Sequence, residues 1–254
     1  MSPKKSTRPL FLLAALLLPP GCSNDSPQGP SGPPSPAGTP VRVLMITTTA
    51  GFRHDSIGTA RNVMNSLSST GGFTLTATED LSTIAAGSLA SYDVVFFALT
   101  TGELPLGADQ KTALLDFVSR GGGFMGVHSA TDTLYTWSEY GQLVGAYFKE
   151  HPWTTTASVV VEDQAHPTTM GLGASFTIRE EFYTFRENPR PNVSVLLRLD
   201  AGSVGAAGDY PLAWVDTHGA GRVYYNALGH FEDTWRDPRF QQQMTAAVRW
   251  TGRK

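Results

Sequence analysis

Apolar and polar positions recur along the chain with two different periodicities, one typical of strands and the other of helices. Residues 41–47 form a short apolar run rich in β-branched side chains, a pattern typical of a buried strand of a parallel sheet. Residues 56–67 follow with apolar positions at helical spacing and Ser56 as the predicted cap. The chain therefore opens with a strand and then a helix.

This alternation of predicted strands and helices continues to about residue 148. The apolar spacing predicts strands at 73–78, 92–99 and 124–127, and helices at 108–120 and 138–148. Three consecutive glycines, 121–123, end the helix that precedes them. Alternation of this kind predicts an α/β fold with a mostly parallel sheet and helices on both faces.

The second half of the chain is richer in strands. We predict strands at 157–161, 176–185, 193–199, 212–217 and 222–227, and a closing helix at 238–250. The turn at 217–222 contains Gly219 and Gly221, which favours a hairpin between its two flanking strands. The pattern does not fix the order of these strands in the sheet.

The first 22 residues have the layout of an export signal. Three basic residues precede an apolar run at 10–18, and the small residue Gly21 stands directly before Cys22. The run is about half the length that a membrane-spanning helix needs. We therefore predict a lipoprotein signal peptide at 1–22 with lipidation at Cys22, which would place the protein in the cell envelope, periplasmic or surface-exposed. The alternative is an ordinary secretory signal in which the cysteine is incidental.

Composition divides the rest of the chain into a linker and one domain. Residues 23–40 consist mostly of Pro, Gly, Ser, Ala and Thr, which cannot bury an apolar core, so we predict a linker there. Residues 41–253 form the predicted single domain. Cys22 is the only cysteine, so neither an intramolecular disulfide nor a thiol nucleophile in the domain is available.

The net charge of the chain narrows the class of molecule that the protein is expected to bind. The chain has 19 Lys and Arg against 22 Asp and Glu, and three of the basic residues belong to the predicted signal. An acidic domain with scattered basic residues is unsuited to a nucleic-acid backbone. We expect a small ligand, no nucleic acid and membrane contact only through the lipid anchor, with the oligomeric state left open.

Histidines follow several of the predicted strands. His54 comes after the first strand, His128 after the strand at 124–127, and His230 after the last one. Ligands of open α/β sheets bind at the carboxyl ends of the strands, so these side chains are expected to converge. Residues 126–130, with small residues around His128, resemble a nucleophile elbow, although a purely structural turn has the same pattern. An imidazole there suits a general base, an electrophile or a metal ligand.

Two adjacent glutamates mark another candidate position. In a strand, Glu181 points to the same side as Tyr183, whereas Glu180 points away. We expect Glu181 in the site and Glu180 on the surface, with two solvated carboxylates as the alternative. Three imidazoles and a carboxylate would suit a divalent metal, but the chain has no metal-site spacing such as two histidines one helical turn apart, so the cofactor is left open.

Several motifs together resemble the ThuA-like (trehalose utilisation) family across residues 41–253. They are Gly51-Phe52-Arg53-His54, Gly126-Val127-His128-Ser129-Ala130-Thr131-Asp132, His151-Pro152-Trp153, Glu180-Glu181-Phe182-Tyr183 and Ala227-Leu228-Gly229-His230. The resemblance implies a flavodoxin-like fold related to class I glutamine amidotransferases, whose catalytic cysteine would occupy the elbow. Because His128 stands there, no amidotransferase activity is expected. The resemblance also implies a carbohydrate or keto-sugar ligand.

Two functions fit these observations. The first is an enzyme of sugar catabolism with His128, His230, His54 and Glu181 as catalytic residues. Its predicted substrate-binding residues are Arg53, Asp132, Trp153 and Tyr183. The second is a tethered protein that binds sugar without chemistry, and the sequence does not decide between them.

Overall fold

A computed structural model describes residues 38–253 of the chain. The predicted signal peptide, the lipidation position Cys22 and residues 23–37 of the linker lie outside the described residues and stay predictions. Within 38–253, no helix combines the length and the apolar character needed to cross a membrane.

Within residues 38–253, nine strands form one continuous sheet in the order β2-β1-β3-β4-β9-β8-β7-β5-β6. The strands are β1 (Val41–Ile46), β2 (Phe73–Thr78), β3 (Val94–Ala98), β4 (Gly123–Val127), β5 (Phe148–Val161), β6 (Ser175–Phe185), β7 (Ser194–Leu199), β8 (Pro211–His218) and β9 (Gly221–Asn226). The predicted hairpin is confirmed, since Thr217 pairs with Arg222 across an antiparallel turn.

The α/β class is confirmed, but the expectation of a mostly parallel sheet is wrong, because the sheet is mixed. Strands β2, β1, β3, β4 and β9 are joined by parallel pairing. Strands β9, β8, β7, β5 and β6 are joined by antiparallel pairing. A parallel pair needs a long crossover, usually an α-helix, and the connections between β5 and β9 contain no α-helix.

Six α-helices accompany the sheet in the described part of the chain. They are α1 (Ile57–Gly71), α2 (Ala86–Leu89), α3 (Ala108–Ser119), α4 (Ser138–Val144), α5 (Glu232–Arg236) and α6 (Pro238–Thr251). Helices α1, α5 and α6 pack on one another, and α2 packs on α3. Contacts of α1, α3, α4 and α6 with the sheet lie mainly on its parallel half.

The boundary between α4 and β5 differs from the sequence prediction. The expected helix at 138–148 ends at Val144, because Gly145 takes the left-handed conformation with φ 96°. Strand β5 then begins at Phe148, nine residues before the predicted start. Most side chains at 148–156 are exposed, so the segment has no apolar alternation that would indicate a strand.

The hairpin of β5 and β6 extends beyond the rest of the sheet. Only residues 159–161 of β5 pair with β7, whereas residues 148–160 pair with β6. Two register irregularities interrupt the pairing between Phe148 and Trp153, and such irregularities bend a strand pair. The segment 148–156 with its partner 179–185 is therefore a bent extension, which we call the hairpin arm.

Candidate functional site

Three histidines and one glutamate meet at the carboxyl edge of the parallel strands. His54 follows β1, His128 follows β4 and His230 follows β9, while Glu181 belongs to the hairpin arm. One nitrogen or oxygen atom from each of the four side chains lies within 4.8 Å of the others. We call this group the histidine cluster. The convergence of His54, His128 and His230 expected from the sequence is therefore present.

His128 stands at the predicted elbow in a strained backbone conformation. Its φ is 53°, a left-handed value that is uncommon for a residue with a side chain. The turn is tight: a Cβ atom at Gly126 would lie 3.1 Å from the Tyr225 ring and 3.2 Å from the Cβ of Ala130. The small residues around His128 thus allow the close packing that aims its imidazole into the cluster.

Hydrogen bonds fix the orientation of the His128 ring. Its Nδ1 lies 2.8 Å from the carbonyl oxygen of Ala227, which accepts the Nδ1 proton. The neutral ring then carries its lone pair on Nε2, and the Tyr183 hydroxyl donates to that atom at 2.8 Å. Tyr183, a predicted substrate-binding residue, therefore contacts the cluster directly.

The donor atoms of the cluster lie close to one another. His128 Nε2 is 3.3 Å from His230 Nδ1 and 3.6 Å from Glu181 Oε2. His230 Nδ1 is 3.1 Å from the same oxygen of Glu181. These three distances form a compact triangle of two nitrogen atoms and one oxygen atom.

The buried ring of His54 packs against the two other imidazoles of the cluster. Its ring lies 4.8 Å from the His128 ring and 5.3 Å from the His230 ring, measured between centroids. Its Nδ1 is buried and has no hydrogen-bond partner among the described residues. Burial, together with the charges of His128 and His230, lowers the pKa of His54 to about 3, so this imidazole is neutral at physiological pH.

Glu181 and His230 shift each other's protonation in opposite directions. Burial raises the pKa of Glu181, but its interactions with the neighbouring imidazoles of His128 and His230 outweigh this effect, so the pKa lies well below its usual range. Burial lowers the pKa of His230, but its hydrogen bond with Glu181 and the charges of Glu181 and Glu180 outweigh it, so the pKa is raised. Glu181 is accordingly an ionised carboxylate at neutral pH.

The expectation that Glu180 is a surface residue is wrong, since its side chain is fully buried. Its carboxylate accepts hydrogen bonds from the backbone N–H groups of Gly229 (2.9 Å) and His230 (3.3 Å) and from the Thr234 hydroxyl (2.5 Å). The alternation along the strand is as predicted, but the side opposite Tyr183 is covered by the loop of His230 and by α5. Strand alternation separates two faces without showing that one of them is solvated.

His151 joins the site from the hairpin arm, and we did not select it from the sequence. Its Nδ1 lies 3.4 Å from Glu181 Oε1, the oxygen that faces away from the triangle, and 47% of its side chain is exposed. The sequence predicts the end of a helix near His151, whereas the structure places this residue in β5, next to β6. The sequence signal that was available is the motif His151-Pro152-Trp153.

The three other predicted substrate-binding residues, Asp132, Arg53 and Trp153, are not members of the histidine cluster. Asp132 is partly buried and accepts a 2.6 Å hydrogen bond from Tyr135, and burial raises its pKa. Arg53 is exposed and forms a two-point ion pair with Glu79. Trp153 packs edge-on against Tyr210 at 5.0 Å and lines a separate pocket of about 420 Å³ that Tyr183 also borders.

The donor set suits a metal ion by its chemistry. Three imidazoles and one carboxylate are the ligand types of zinc and of similar transition metals, and His54, His128, His230 and Glu181 are grouped closely enough to hold one. The histidine cluster is therefore able to accommodate a metal ion.

Comparisons with known proteins place this chain in a family. The family model described as ThuA, trehalose utilisation, matches residues 42–251. A ThuA-like protein from Bacteroides uniformis superposes with a TM-score of 0.73 and 26% identity, covering 87% of this chain and 95% of that one. A ThuA-like protein from Parabacteroides merdae gives a TM-score of 0.70 and 18% identity, with 84% and 90% covered.

The other comparisons show a shared fold in one case and no match in another. Part of a β-galactosidase from Bacillus circulans sp. alkalophilus shares the fold, with a TM-score of 0.56, 15% identity, and 84% of this chain and 31% of that chain covered. No curated protein matches the chain in sequence. Because the family model covers nearly all of the described residues, this chain belongs to the ThuA (trehalose utilisation) family.

Proposed function

We propose that this protein is an enzyme that acts on a carbohydrate, with the histidine cluster as its reactive centre. The observation that carries the proposal is the meeting of three imidazoles and one carboxylate from four separate segments of the chain. The described ion pairs of Glu181 are all with imidazoles. Clusters of titratable groups with perturbed pKa values at the strand ends of an α/β sheet are typical of catalytic sites.

One side of the cluster is reachable for a substrate. His54 and His128 are buried, whereas the side chains of His230 and His151 are 21% and 47% exposed. A sugar that enters from this side meets imidazole and carboxylate groups within hydrogen-bonding reach of one another. We propose proton removal next to a sugar carbonyl. An imidazole on the open side of the cluster takes the proton, the C–H electron pair forms a C=C bond, and the carbonyl π pair moves to the oxygen, where the cluster stabilises the enolate charge.

An exposed aromatic ring beside the cluster supports a sugar ligand. Phe52 is 66% exposed, and its ring lies edge-on to His54 at 4.9 Å between centroids. An aromatic face next to convergent polar groups suits the apolar face and the hydroxyls of a sugar. The family description, trehalose utilisation, supports the same ligand class. We retain Asp132, Trp153, Tyr183 and Arg53 as proposed substrate-binding residues.

The proposal is tested by turnover of a sugar panel. The purified chain is incubated with trehalose, other disaccharides, their keto derivatives and monosaccharides, and products are followed by NMR. We expect turnover of one class, reduced about 100-fold or more in Glu181→Gln and His230→Ala. His218→Ala, at the last residue of β8, is the matched histidine control.

Two outcomes would contradict the enzyme proposal in different ways. Saturable binding of a sugar that produces no change in it would favour the tethered sugar-binding protein. Neither binding nor turnover with any sugar of the panel would remove the carbohydrate role.

Phe52 has its own test within this proposal. Phe52→Ala should weaken sugar affinity about tenfold, while the free energy of unfolding changes by about 0.5 kcal/mol or less because the ring is exposed. Met170→Ala is the matched control, since Met170 is also a large apolar residue with 57% exposure. Equal sugar affinity in the two variants would exclude Phe52 from the binding site.

We propose the cell envelope as the location of this activity. The support is the apolar run of the first 22 residues and the position of Cys22 after it. Cys22→Ser should abolish labelling of the protein by palmitate and move it from the membrane fraction to the aqueous phase of a detergent extraction. Palmitate labelling that survives this substitution would refute the anchor.

A further inference from the structure

We infer that His54, His128, His230 and Glu181 bind one divalent transition-metal ion of the zinc class. The inference deepens the proposed function, on which it rests for the statement that this metal serves catalysis. Metal binding itself is argued from the spacing, orientation and chemistry of the four side chains.

The spacing of the donor atoms fits a tetrahedral ion. Zinc lies about 2.0–2.1 Å from nitrogen and oxygen ligands, so two ligand atoms of a tetrahedral site are about 3.3–3.4 Å apart. The observed separations are 3.1 Å from His230 Nδ1 to Glu181 Oε2, 3.3 Å from His128 Nε2 to His230 Nδ1, and 3.6 Å from His128 Nε2 to Glu181 Oε2. These three separations are close to those between ligand atoms that share one tetrahedral ion.

The orientation of the ligands is set by groups outside the cluster. A histidine that binds a metal usually donates its other ring N–H to a carbonyl or carboxylate, and His128 Nδ1 lies 2.8 Å from the Ala227 carbonyl. Buried Glu180 accepts the backbone N–H of His230 and thereby holds the loop that carries this ligand. Such outer contacts are the usual support of a metal site and would be unneeded for solvated side chains.

The buried ring of His54 gives an independent indication that an ion binds in the cluster. Its Nδ1 is buried and has no hydrogen-bond partner among the described residues, an arrangement that is costly in a folded protein. A ring that binds an ion through one nitrogen gains an interaction that repays its burial. His54 lies next to both other imidazoles, so it completes a set of three nitrogen ligands and one oxygen ligand.

The donor types select the class of metal. Imidazole nitrogen suits zinc, iron, cobalt, nickel and copper, whereas magnesium and calcium prefer oxygen ligands. Two buried carboxylates, Glu181 in the cluster and Glu180 beside it, offset the charge of a divalent ion. We therefore expect Zn²⁺ and Co²⁺ to bind and Mg²⁺ and Ca²⁺ to bind poorly.

The experiment measures metal binding without any sugar. The purified chain is stripped with a chelator, dialysed, and titrated with Zn²⁺ by calorimetry and with Co²⁺ by visible absorption, which reports the coordination geometry of the bound ion. We expect about one ion per chain. Glu181→Gln and His230→Ala should each weaken binding about tenfold or more, and His218→Ala should leave it unchanged.

The result that overturns the inference is specific. It is less than about a tenth of an equivalent of bound Zn²⁺ in stripped and refilled protein, or equal affinity in wild type and in His128→Ala/His230→Ala. Melting curves without metal show whether each variant is folded. Because Glu181→Gln keeps the side-chain shape and Glu181 is 11% exposed, this variant keeps the test valid if a histidine variant unfolds.

The metal inference and the proposed function fail in different ways. A bound ion in a protein that turns over no sugar leaves the metal site standing and removes the enzyme. Sugar turnover that is unchanged after chelation, with no ion bound, removes the metal and leaves the enzyme.

Discussion

The two halves of the sheet contribute to the candidate site in different ways. The parallel half, β2-β1-β3-β4-β9, supplies His54, His128 and His230 from loops that directly follow strands. The antiparallel half supplies Glu181, Tyr183 and His151 from within the strands of the hairpin arm. The first set lies where the α/β architecture places ligands generally, whereas the second set reaches the site only because the arm is bent over it.

This difference shows how the cluster combines a general scaffold with a particular addition. Parallel strands bring their carboxyl ends to one edge, so three imidazoles can converge through the topology alone. The carboxylate of the cluster comes from the other half, where the arm provides it together with the Tyr183 hydroxyl that contacts His128. Substitutions on the two halves should therefore have distinguishable effects.

The largest effects should come from the cores of the two halves. Phe96 in β3 and Trp214 in β8 are fully buried, and Trp214 also donates a hydrogen bond to the Val144 carbonyl at 2.9 Å. We expect Phe96→Ala and Trp214→Ala each to lower the free energy of unfolding by about 3–5 kcal/mol. Denaturant unfolding followed by tryptophan fluorescence and by circular dichroism measures this. Two separated transitions in Trp214→Ala would show that the halves unfold independently.

The adjacent glutamates should separate stability from site chemistry. Glu180→Ala leaves the N–H groups of Gly229 and His230 and the Thr234 hydroxyl without their acceptor, so we expect a loss of about 2–3 kcal/mol of unfolding free energy. Glu181→Ala removes ion pairs with imidazoles, so it should cost about 1–2 kcal/mol in metal-free protein and yet abolish tight binding of Co²⁺. A larger loss of stability from Glu181→Ala than from Glu180→Ala would reverse these assigned roles.

Removing the Tyr183 hydroxyl should have a smaller effect that tests how the arm acts on the parallel half. Tyr183→Phe deletes one buried hydrogen bond to His128 Nε2, which should cost about 1 kcal/mol of stability. If an ion takes the Nε2 lone pair, the hydroxyl has already left this bond in the metal-bound protein. We therefore expect Tyr183→Phe to lower the stability less in zinc-bound protein than in metal-free protein. Melting curves of wild type and variant, with and without Zn²⁺, measure the two differences.

The smallest effect should come from Arg53, at the rim of the parallel half. Its ion pair with Glu79 is exposed on both sides, so Arg53→Ala should change the unfolding free energy by about 0.2–1 kcal/mol. The affinity for Co²⁺ should stay the same, because Arg53 is not one of the four ligands. A weaker affinity for sugar in this variant, with Glu79→Ala as its partner control, would confirm the proposed contact with substrate.

Particular residues show how far the sequence alone could lead to this site. His54, His128 and His230 could be chosen because each follows an apolar strand, and strand ends are where α/β folds bind ligands. Glu181 could be chosen from strand alternation relative to Tyr183. Glu180 could not be placed, because alternation gives the face of a side chain but not what covers that face. His151 was missed since the exposed, non-alternating segment 148–156 gave no sign of a strand.

The sequence by itself determined the local elements of the domain, its family and the residue types of the candidate site. Local apolar periodicity and family motifs are written in neighbouring residues, so they can be recognised without a structure. The tertiary structure decided the mixed pairing of the sheet, the bend of the hairpin arm, the burial of Glu180 and the distances of about 3 Å within the cluster. These features depend on contacts between residues far apart in the chain, and only for the β8–β9 hairpin did a local pattern indicate which strands lie side by side.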